Sequence, residues 1–486
     1  MHEVTASKMV CIVFVACLTM AIPSAAQTFH TLVNFDNSNG SSPQLPPVQG
    51  VDGNLYGVTF SGGLNGRGTV YQITPDGMLR SLYNFCSQPQ CTDGEFPFGA
   101  LVPGSDGNLY GITLNGGAYS EGTAFKLTLQ GQLTSVYTFC SQANCADGAA
   151  PNGLLIATDG NFYGTTMGGG GNGGGTVFKL TPQGALTVLY NFCSQINCAD
   201  GYDSNASSGT LTEGTDGNFY GLTDVGGSRV GNCSPLGCGT AYKITPQGKF
   251  TTLYTFCSLS NCAGAGPYWL MQAADGFFYG VTGYGGPFGG TIFKLTSQGK
   301  LTTLYSFCAK SGCTDGKEPI WLVQAAGAGA FYGATFRGGS GTKCRSGCGT
   351  VFEIPSRGSL TSLHSFDLTD GSYPYGLAQA TNGTFYGITS EGGADGYGTV
   401  FSLATGLAPF VESLPTSGKV GAKVLILGTD LTGATEVSFN GTAATFTVVS
   451  ATEIAATVPS GATTGSVLVT TPSGTLKSNV VFRVRP

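Results

Sequence analysis

A Tyr-Gly pair that recurs seven times constrains this chain more than any other feature. Successive pairs are separated by 54, 53, 57, 59, 53 and 54 residues, and they begin at Tyr56, Tyr110, Tyr163, Tyr220, Tyr279, Tyr332 and Tyr386. The stretch from Gly153 to Asp200 contains one whole unit, with four short runs rich in aromatic and branched residues separated by turn residues. This period and strand count predict an all-β fold, a seven-bladed β-propeller of four-stranded blades.

The two ends of the repeat array support this prediction. The last repeat supplies only three strand-like runs, 375–380, 384–389 and 398–403, whereas His30–Phe35 is a fourth-strand sequence with no strands before it. The amino-terminal strand is therefore expected to complete the last sheet. Such pairing would close a ring, and closure removes the exposed edge strands that promote aggregation.

The turn sequences predict that the two faces of the ring carry different kinds of loop. Asp-Gly pairs such as Asp159-Gly160 join the first two strands, and we expect a two-residue hairpin with positive φ there. In a four-stranded meander, the loop between the second and third strands and the loop that leads to the next sheet emerge at the same end. We expect one loop-rich face and one tight-turn face, with any binding surface on the former.

The amino terminus and the composition predict an exported protein. Residues 1–26 combine Lys8, the apolar run 9–22 and small residues before Gln27, as in a secretory signal peptide; a lipobox-like interpretation that ends at Cys17 fits less well. The predicted location is secreted or on the extracellular surface, with the periplasm as an alternative. No later stretch could span a bilayer. A net charge of −6 gives no basic stripe, which argues against nucleic acid as a partner.

The cysteines form close pairs in the sequence. Beyond the predicted signal peptide there are seven pairs: Cys86/Cys91, Cys140/Cys145, Cys193/Cys198, Cys233/Cys238, Cys257/Cys262, Cys308/Cys313 and Cys344/Cys348. An even number of locally paired cysteines in an exported chain predicts disulfides on the loop-rich face. Metal binding is the alternative, but the spacing does not suit a zinc site. No metal and no cofactor are predicted.

The composition changes after Leu403. The Tyr-Gly unit and cysteine disappear, and short strands alternate with Gly-containing turns. We predict a propeller over residues 27–404, a linker over 405–408 and a small Ig-like β-sandwich over 409–486.

The repeat resembles a known family. Its D-G-N-[LF]-Y-G-x-T … G-T-x-[FY] pattern resembles the GloVer-type tandem repeat of bacterial exported choice-of-anchor proteins, and it is also similar to repeats of sensor propellers and streptogramin lyase-like propellers. The carboxyl-terminal region resembles an IPT/TIG domain through Pro415–Gly418, the run Val424–Gly428, Phe439–Gly441 and Val458-Pro459. These resemblances imply a β-propeller for the repeats and an Ig-like fold for the carboxyl-terminal region. IPT/TIG modules are common in surface and binding proteins.

Few residues offer catalytic chemistry. After the signal peptide only His30 and His364 remain, and His364 stands where five repeats have tyrosine, so a packing or hydrogen-bonding role is favoured. The repeated turn aspartates are explained by turn formation, and those that follow cysteine pairs (Asp93, Asp147, Asp200 and Asp315) are weak ligand candidates.

The candidate ligand-binding residues lie on the predicted innermost strands: Trp269, Trp321, Tyr268, Tyr375, Gln272, Gln324, Gln379 and Glu213, with Gln49 at an equivalent position. Aromatic rings could stack on sugars, and the amides could line the channel, although packing and hydrogen bonding between blades are the alternatives.

These features predict a non-catalytic binding or presentation module at the cell exterior, with an extracellular glycan or a surface protein as the candidate ligand. One alternative is a propeller enzyme, a lyase or hydrolase acting on polysaccharide or cyclic peptide, for which Glu213 with Glu318 is the one acidic pair we can nominate. The other is a structural repeat protein of the cell surface.

Overall fold

The structure, a computed structural model, describes residues 27–202, 211–227, 237–257, 264–285, 289–327, 329–356 and 359–485. The predicted signal peptide, Cys233, Cys262 and the last residue of the predicted sandwich lie outside these residues.

Seven antiparallel sheets contain the Tyr-Gly repeats in the described part of the chain, and we number them 1 to 7 in repeat order. The amino-terminal strand is β1 (Thr28–Asn34). Sheet 1 comprises β2 (Ser41–Pro43), β3 (Val48–Gln49), β4 (Leu55–Ser61), β5 (Thr69–Ile73) and β6 (Leu79–Asn84). Sheet 2 comprises β7 (Glu95–Pro103), β8 (Leu109–Asn115), β9 (Thr123–Leu127) and β10 (Leu133–Thr138). Sheet 3 comprises β11 (Ala149–Ile156), β12 (Phe162–Gly168), β13 (Thr176–Leu180) and β14 (Leu186–Asn191).

Sheets 4 to 7 repeat this arrangement. Sheet 4 comprises β15 (Thr212–Glu213), β16 (Phe219–Thr223), β17 (Thr240–Ile244) and β18 (Phe250–Thr255). Sheet 5 comprises β19 (Ala265–Gln272), β20 (Phe278–Tyr284), β21 (Thr291–Leu295) and β22 (Leu301–Ser306). Sheet 6 comprises β23 (Lys317–Gln324), β24 (Ala330–Arg337), β25 (Thr350–Pro355) and β26 (Thr361–Ser365). Sheet 7 comprises β27 (Ser372–Gln379), β28 (Phe385–Glu391), β29 (Thr399–Ala404) and, as its fourth strand, β1.

The pairing predicted for the amino-terminal strand is observed. Strand β1 runs antiparallel to β29, with His30 opposite Ser402. Two further hydrogen bonds link the start of sheet 1 to sheet 7: the Ser42 amide donates to the carbonyl of Tyr397, and the Thr381 amide donates to Gln49. Segments from the two ends of the repeat array are thus in direct contact.

The core lies between successive sheets. Adjacent residues such as Val177 and Phe178 on β13 point to opposite faces of their sheet, yet both are fully buried, so both faces are covered. Hydrophobic clusters join sheets 1 and 2, 2 and 3, and so on to 6 and 7, and another joins sheet 7 to sheet 1 through Phe35, Ile388 and Tyr71.

Each repeat contains a buried threonine pair between its second and third strands. In sheet 2, the Thr113 and Thr123 hydroxyl oxygens are 2.8 Å apart, and the Thr123 amide donates to Thr113. Both side chains are fully buried. The T of the Y-G-x-T motif and the T of G-T are therefore explained by one hydrogen-bonded pair that joins the middle of the sheet.

The turn between the first two strands differs from the predicted two-residue hairpin. In sheet 1 the Gly53 amide donates to Gly50, and the Gly50 amide donates to Asn54, so three residues form the loop. Gly53 has φ +81°, whereas Asp52 does not have positive φ. The loop is a type I turn followed by a left-handed glycine, and the aspartate is free to act as a hydrogen-bond acceptor.

The strands after β29, which we call the carboxyl-terminal module, form sheets of their own. Its strands are β30 (Glu412–Leu414), β31 (Ser417–Lys419), β32 (Lys423–Leu427), β33 (Glu436–Phe439), β34 (Thr442–Ala443), β35 (Phe446–Val448), β36 (Glu453–Thr457), β37 (Val467–Thr471), β38 (Gly474–Lys477) and β39 (Arg483–Arg485). They form sheets of order β30-β32-β36-β35 and β34-β33-β37-β38 and a parallel pair β31-β39 around one hydrophobic core.

Candidate functional site

The loop-rich ends of the sheets contain the disulfides. The structure pairs Cys86–Cys91, Cys140–Cys145, Cys193–Cys198, Cys308–Cys313 and Cys344–Cys348, as predicted. Four of these five disulfides enclose a short 3-10 helix in the loop that leads to the next sheet.

The remaining two predicted pairs are described only in part. Cys238 and Cys257 are both disulfide-bonded. Their predicted partners, Cys233 and Cys262, lie outside the described residues, so the 233/238 and 257/262 pairings stay predictions.

Cys238 lies in the predicted loop between the second and third strands of sheet 4, but its side chain is buried. It is only 3% exposed and packs in the hydrophobic cluster between sheets 4 and 5, together with Phe256 and Ala265. The Gly266 amide of sheet 5 donates to the Cys238 carbonyl at 3.1 Å, which holds this part of the loop against the next sheet. Cys348 is likewise fully buried in its own cluster. These two cysteines therefore contribute to the core.

A buried aspartate organises each of the four loops with a 3-10 helix. Asp147 is fully buried and accepts hydrogen bonds from the Tyr137 hydroxyl at 2.7 Å, from the Ser141 amide at 2.9 Å and hydroxyl at 2.8 Å, and from the Gln142 amide at 3.1 Å. Burial favours a raised pKa, but the hydrogen bonds from Tyr137, Ser141 and Gln142 outweigh it and lower the pKa of Asp147. Equivalent contacts hold Asp93, Asp200 and Asp315. These aspartates are acceptors within their own loops.

His364 replaces the tyrosine of this arrangement in sheet 6. Its Nε2 lies 2.7 Å from Asp370, and its ring stacks on Phe29 with 3.7 Å between centroids. The predicted packing and hydrogen-bonding role is thereby confirmed.

The two tryptophans lie between innermost strands of neighbouring sheets. The Trp269 indole N–H donates to the carbonyl of Leu322 at 2.7 Å, and the Trp321 indole N–H donates to Leu377 at 2.8 Å. Their rings stack with 3.7 Å between centroids, and Trp321 is only 7% exposed. Both indoles therefore link the innermost strand of their own sheet to that of the next sheet.

The amide and acid side chains on the innermost strands make a second kind of contact between sheets. Each accepts a hydrogen bond from a backbone amide in the tight turn of the preceding sheet, and the pairs are Glu213 with Thr158, Gln272 with Thr215, Gln324 with Ala274, Gln379 with Ala326 and Gln49 with Thr381. In sheets 2 and 3 the corresponding positions hold Pro103 and Ile156, which cannot accept such a bond. These side chains lie at the tight-turn end of the innermost strands.

The acidic pair nominated for an enzyme is not brought together. Glu318 lies at the loop-rich end of β23 and is ion-paired with Arg337 at 3.4 Å, whereas Glu213 occupies the position of Gln324 at the opposite strand end. Six residues of strand separate these positions, a distance of about 20 Å at ~3.3 Å per residue. Two carboxyl groups that cleave one glycosidic bond lie within roughly 5–10 Å of each other.

Within the described residues, one group has metal-ligand spacing, Cys86, Cys91 and Glu95. Its two sulfurs are joined in a disulfide and are not thiolates.

Three aromatic side chains meet at the loop-rich end between sheets 6 and 7. Phe336 stacks on Tyr373 with 4.8 Å between centroids and meets Tyr375 edge-on at 5.4 Å. All three are partly exposed, and the Arg337 guanidinium lies 5.5 Å from the Phe336 ring centroid. We call these four residues the sheet 6/7 aromatic cluster.

The equivalent positions between sheets 1 and 2 form a matching group. Phe60 stacks on Phe96 at 5.1 Å and meets Phe98 edge-on at 6.4 Å. The Arg67 guanidinium lies 5.1 Å from the Phe96 ring centroid and is ion-paired with Glu95 at 3.2 Å. We call Phe60, Phe96, Phe98 and Arg67 the sheet 1/2 aromatic cluster. Tyr268 occupies the position of Phe98 and Tyr375 in sheet 5 and is partly exposed.

The sequence pattern identified Tyr268 and Tyr375 as candidate ligand-binding residues but missed the other aromatic residues of the two clusters. Phe96 and Tyr373 each precede a proline and have positive φ, 55° for both, with the amide donating to the loop of the preceding sheet. This backbone conformation is uncommon for residues other than glycine and sets the direction of the aromatic side chains. The recurring X-Pro dipeptide at the start of the innermost strand was the signal that could have located them.

The opposite, tight-turn end carries a repeated ion pair. In sheet 4, Asp216 accepts from the Tyr220 hydroxyl and from Lys243, both at 2.8 Å. Burial favours a raised pKa, yet the hydrogen bonds from Lys243, Asn218 and Tyr220 lower the pKa of Asp216 to about 2. Sheets 2, 3 and 5 have the same triad, which explains the turn aspartates without a ligand.

The carboxyl-terminal module contacts this same tight-turn end. Its side chains donate to backbone carbonyls in the turns of three sheets, and the pairs are Thr452 to Val51 at 2.9 Å, Ser417 to Thr158 at 3.0 Å and Arg483 to Gly214 at 3.1 Å. The Phe410 amide also donates to Thr381 in sheet 7. The module thus lies against the tight turns, and the aromatic clusters lie at the other ends of the sheets.

No helix in the described part of the chain is both long enough and apolar enough to cross a membrane.

Comparison with known proteins identifies the repeat. The sequence profile of the Gloeobacter/Verrucomicrobia repeat matches residues 18–234 and 207–449, which confirms the resemblance of the repeat region. No curated protein sequence matches the chain.

Among solved structures, the chain is similar to a protein of unknown function from Bacteroides thetaiotaomicron, with 15% identity, 78% of this chain and 76% of that chain covered, and a TM-score of 0.41. It is also similar to the extracellular domain of a hybrid two component system from the same organism, with 11% identity, coverage of 95% and 60%, and a TM-score of 0.49. A third is puromycin hydrolase, with 14% identity, coverage of 81% and 54%, and a TM-score of 0.45.

Proposed function

The chain belongs to the Gloeobacter/Verrucomicrobia repeat family, and we propose that it is an exported, non-catalytic binding module whose ligand surface is the loop-rich face. In this proposal residues 27–404 form a closed seven-bladed propeller, 405–408 are the linker, and 409–486 are an Ig-like module of the IPT/TIG type. The contacts of β1 with β29 and of Gln49 with Thr381 support the closed ring.

The observation that carries the proposal is the pair of equivalent aromatic clusters. Each presents three partly exposed rings and one arginine at the loop-rich end, and aromatic rings stack readily on the apolar faces of sugars. The Cys86–Cys91 disulfide and the buried Asp93 hold the loop beside the sheet 1/2 aromatic cluster, so that little ordering entropy is lost on binding. We infer a glycan ligand, contacted by both clusters and by Tyr268.

The location follows from the same features. Local disulfides persist in an oxidising compartment, and the predicted signal peptide would deliver the chain there. The carboxyl-terminal module occupies the tight-turn face, which leaves the loop-rich face free for a partner.

A glycan array tests this function. Chain 27–486 is expected to bind a defined set of extracellular glycans, and Phe336→Ala should weaken binding by about 10-fold or more, since truncation of a central aromatic contact typically costs 1–3 kcal/mol. Leu114→Ala is the matched control, because Leu114 occupies the corresponding strand position in sheet 2 without aromatic partners. Absence of glycan binding, or equal binding by both variants, would overturn the assignment.

A further inference from the structure

A cavity of about 230 Å³ lies between the innermost strands and the carboxyl-terminal module. One wall is formed by the tight-turn ends of β3, β23 and β27, and the other by Phe410, Glu412, Leu414 and Leu427. This cavity is at the opposite end of the sheets from the aromatic clusters.

Among the described residues that line the cavity, Glu412 has the one titratable side chain. It lies on β30, is partly buried, and has no hydrogen bond or ion pair within the described residues. Burial raises the pKa of the Glu412 carboxyl above its ordinary value. The carboxyl group is therefore available to a molecule that enters the cavity.

Two of the glutamines that line the cavity have free side-chain donors. Gln49 and Gln324 use their side-chain oxygens to accept backbone amides at 2.9 and 2.8 Å, and their amino groups have no partner among the described residues. Gln379 also lines the cavity, but its amino group donates to the Gly383 carbonyl at 3.2 Å, and Asn479 adds a further side-chain amide at the exposed rim. The cavity therefore offers one acidic acceptor and several N–H donors, and no lysine, arginine or histidine in the described part of the chain lines it.

This combination selects among ligand classes. An anion would meet the Glu412 carboxylate with no cation nearby, and a simple ammonium ion would satisfy Glu412 but none of the amide donors. A hydroxyl group both donates and accepts, so a molecule with several hydroxyls could satisfy both kinds of group at once. The volume exceeds the roughly 150 Å³ of an engineered cavity that holds benzene, so a substituted six-membered ring has room to fit.

We propose that this cavity binds a small, neutral, polyhydroxylated molecule of monosaccharide or cyclitol size, with Glu412 accepting and Gln49 and Gln324 donating hydrogen bonds. The inference does not depend on the glycan proposed for the loop-rich face, because no residue of the aromatic clusters lines the cavity. The ligand would lie at the contact between the ring and the carboxyl-terminal module and would strengthen that contact.

Saturation-transfer NMR and calorimetry on chain 27–486 test the proposal with D-glucose, D-galactose, D-mannose and myo-inositol as probes. At least one is expected to bind with a Kd of about 1 mM or below, and Glu412→Gln should weaken it by about 10-fold, as expected for loss of a charge-assisted hydrogen bond. Ala378→Leu, which adds volume to the cavity wall, should also abolish binding.

Matched variants make the result specific. Glu436→Gln removes an exposed carboxylate of the same module and should leave affinity unchanged, and so should Phe336→Ala at the loop-rich face. Failure of all four probes to bind, affinity unaffected by Glu412→Gln, or binding of choline in place of every polyol would overturn the proposal. Loss of binding in Phe336→Ala alone would assign the sugar to the loop-rich face instead.

Discussion

The loop that follows sheet 2 contains both a buried aspartate, Asp147, and the Cys140–Cys145 disulfide, and either could be the main source of its stability. We predict that Asp147→Ala destabilises the protein more than removal of the Cys140–Cys145 disulfide does. The carboxylate of Asp147 is fully buried and accepts four hydrogen bonds. The disulfide closes a loop with a sequence separation of only 5.

The magnitudes follow from these contacts. Hydrogen bonds to a charged group contribute roughly 1.5–3 kcal/mol each and are not additive, so loss of all four is expected to cost about 3–5 kcal/mol. The chain-entropy estimate for so short a disulfide loop is about 2 kcal/mol. Because the folded pKa of Asp147 is lowered, its contribution is present above the unfolded value of 3.8 and is lost as the pH falls below it.

Urea unfolding of Asp147→Ala, of Cys140→Ala/Cys145→Ala and of the triple variant measures the two contributions. Asp76→Ala, which removes an exposed turn carboxylate, is the control and should change the free energy of unfolding by less than about 0.5 kcal/mol. An Asp147→Ala cost equal to or smaller than that of the double cysteine variant at pH 7 would refute the reasoning.

Three further predictions concern contacts within and between sheets. Asp216→Asn should lower the free energy of unfolding by about 1 kcal/mol at pH 6, after allowance for the partial exposure of the carboxylate. Because the lowered pKa of Asp216 stabilises the folded state above pH 3.8 and this stabilisation is lost below it, the difference from wild type should vanish as the pH falls toward 2. Urea unfolding at a series of pH values checks this. Trp269→Phe keeps a stacked ring but removes the bond to Leu322, and calorimetry should show a loss of about 1 kcal/mol. Thr113→Val leaves the Thr123 amide and hydroxyl without their buried partner and should cost about 1–3 kcal/mol by the same measurement.

The repeat architecture could be predicted from sequence because the period, the four runs and the split last repeat all reflect local strand and turn chemistry. The pairing of His30–Phe35 with β29 was predictable for the same reason, since the missing strand of sheet 7 has the sequence of a fourth strand. Cysteine spacing likewise located the loop disulfides that the structure describes. It could not show that Cys238 is buried, because that burial depends on how sheet 5 packs against sheet 4.

Contacts between sheets were harder to predict. The roles of Gln324 and Trp269 depend on which backbone groups the neighbouring sheet presents, about 50 residues away in sequence, and no local pattern specifies this. The aromatic clusters were missed because Phe336 and Tyr373 come from different sheets and meet only through the left-handed backbone before Pro374. The turn hairpin was assigned two residues instead of three because Asp-Gly also occurs in type I turns with a left-handed glycine.

Glu412 illustrates a further limit of sequence reasoning. Its residue type and its strand give no indication of a cavity, which exists only because the carboxyl-terminal module packs against the tight turns of several sheets. A site between two units can be recognised only when their contact surface is known.

The central claim is that the seven repeats form one ring closed by the amino-terminal strand, and disulfide trapping tests it most directly. His30→Cys/Ser402→Cys places two cysteines directly opposite each other on β1 and β29, although 372 residues separate them in the sequence. Peptide mapping of the monomer under non-reducing conditions should recover a single intramolecular 30–402 cross-link. Free thiols at both positions, or cross-links found only in dimers, would contradict a closed ring.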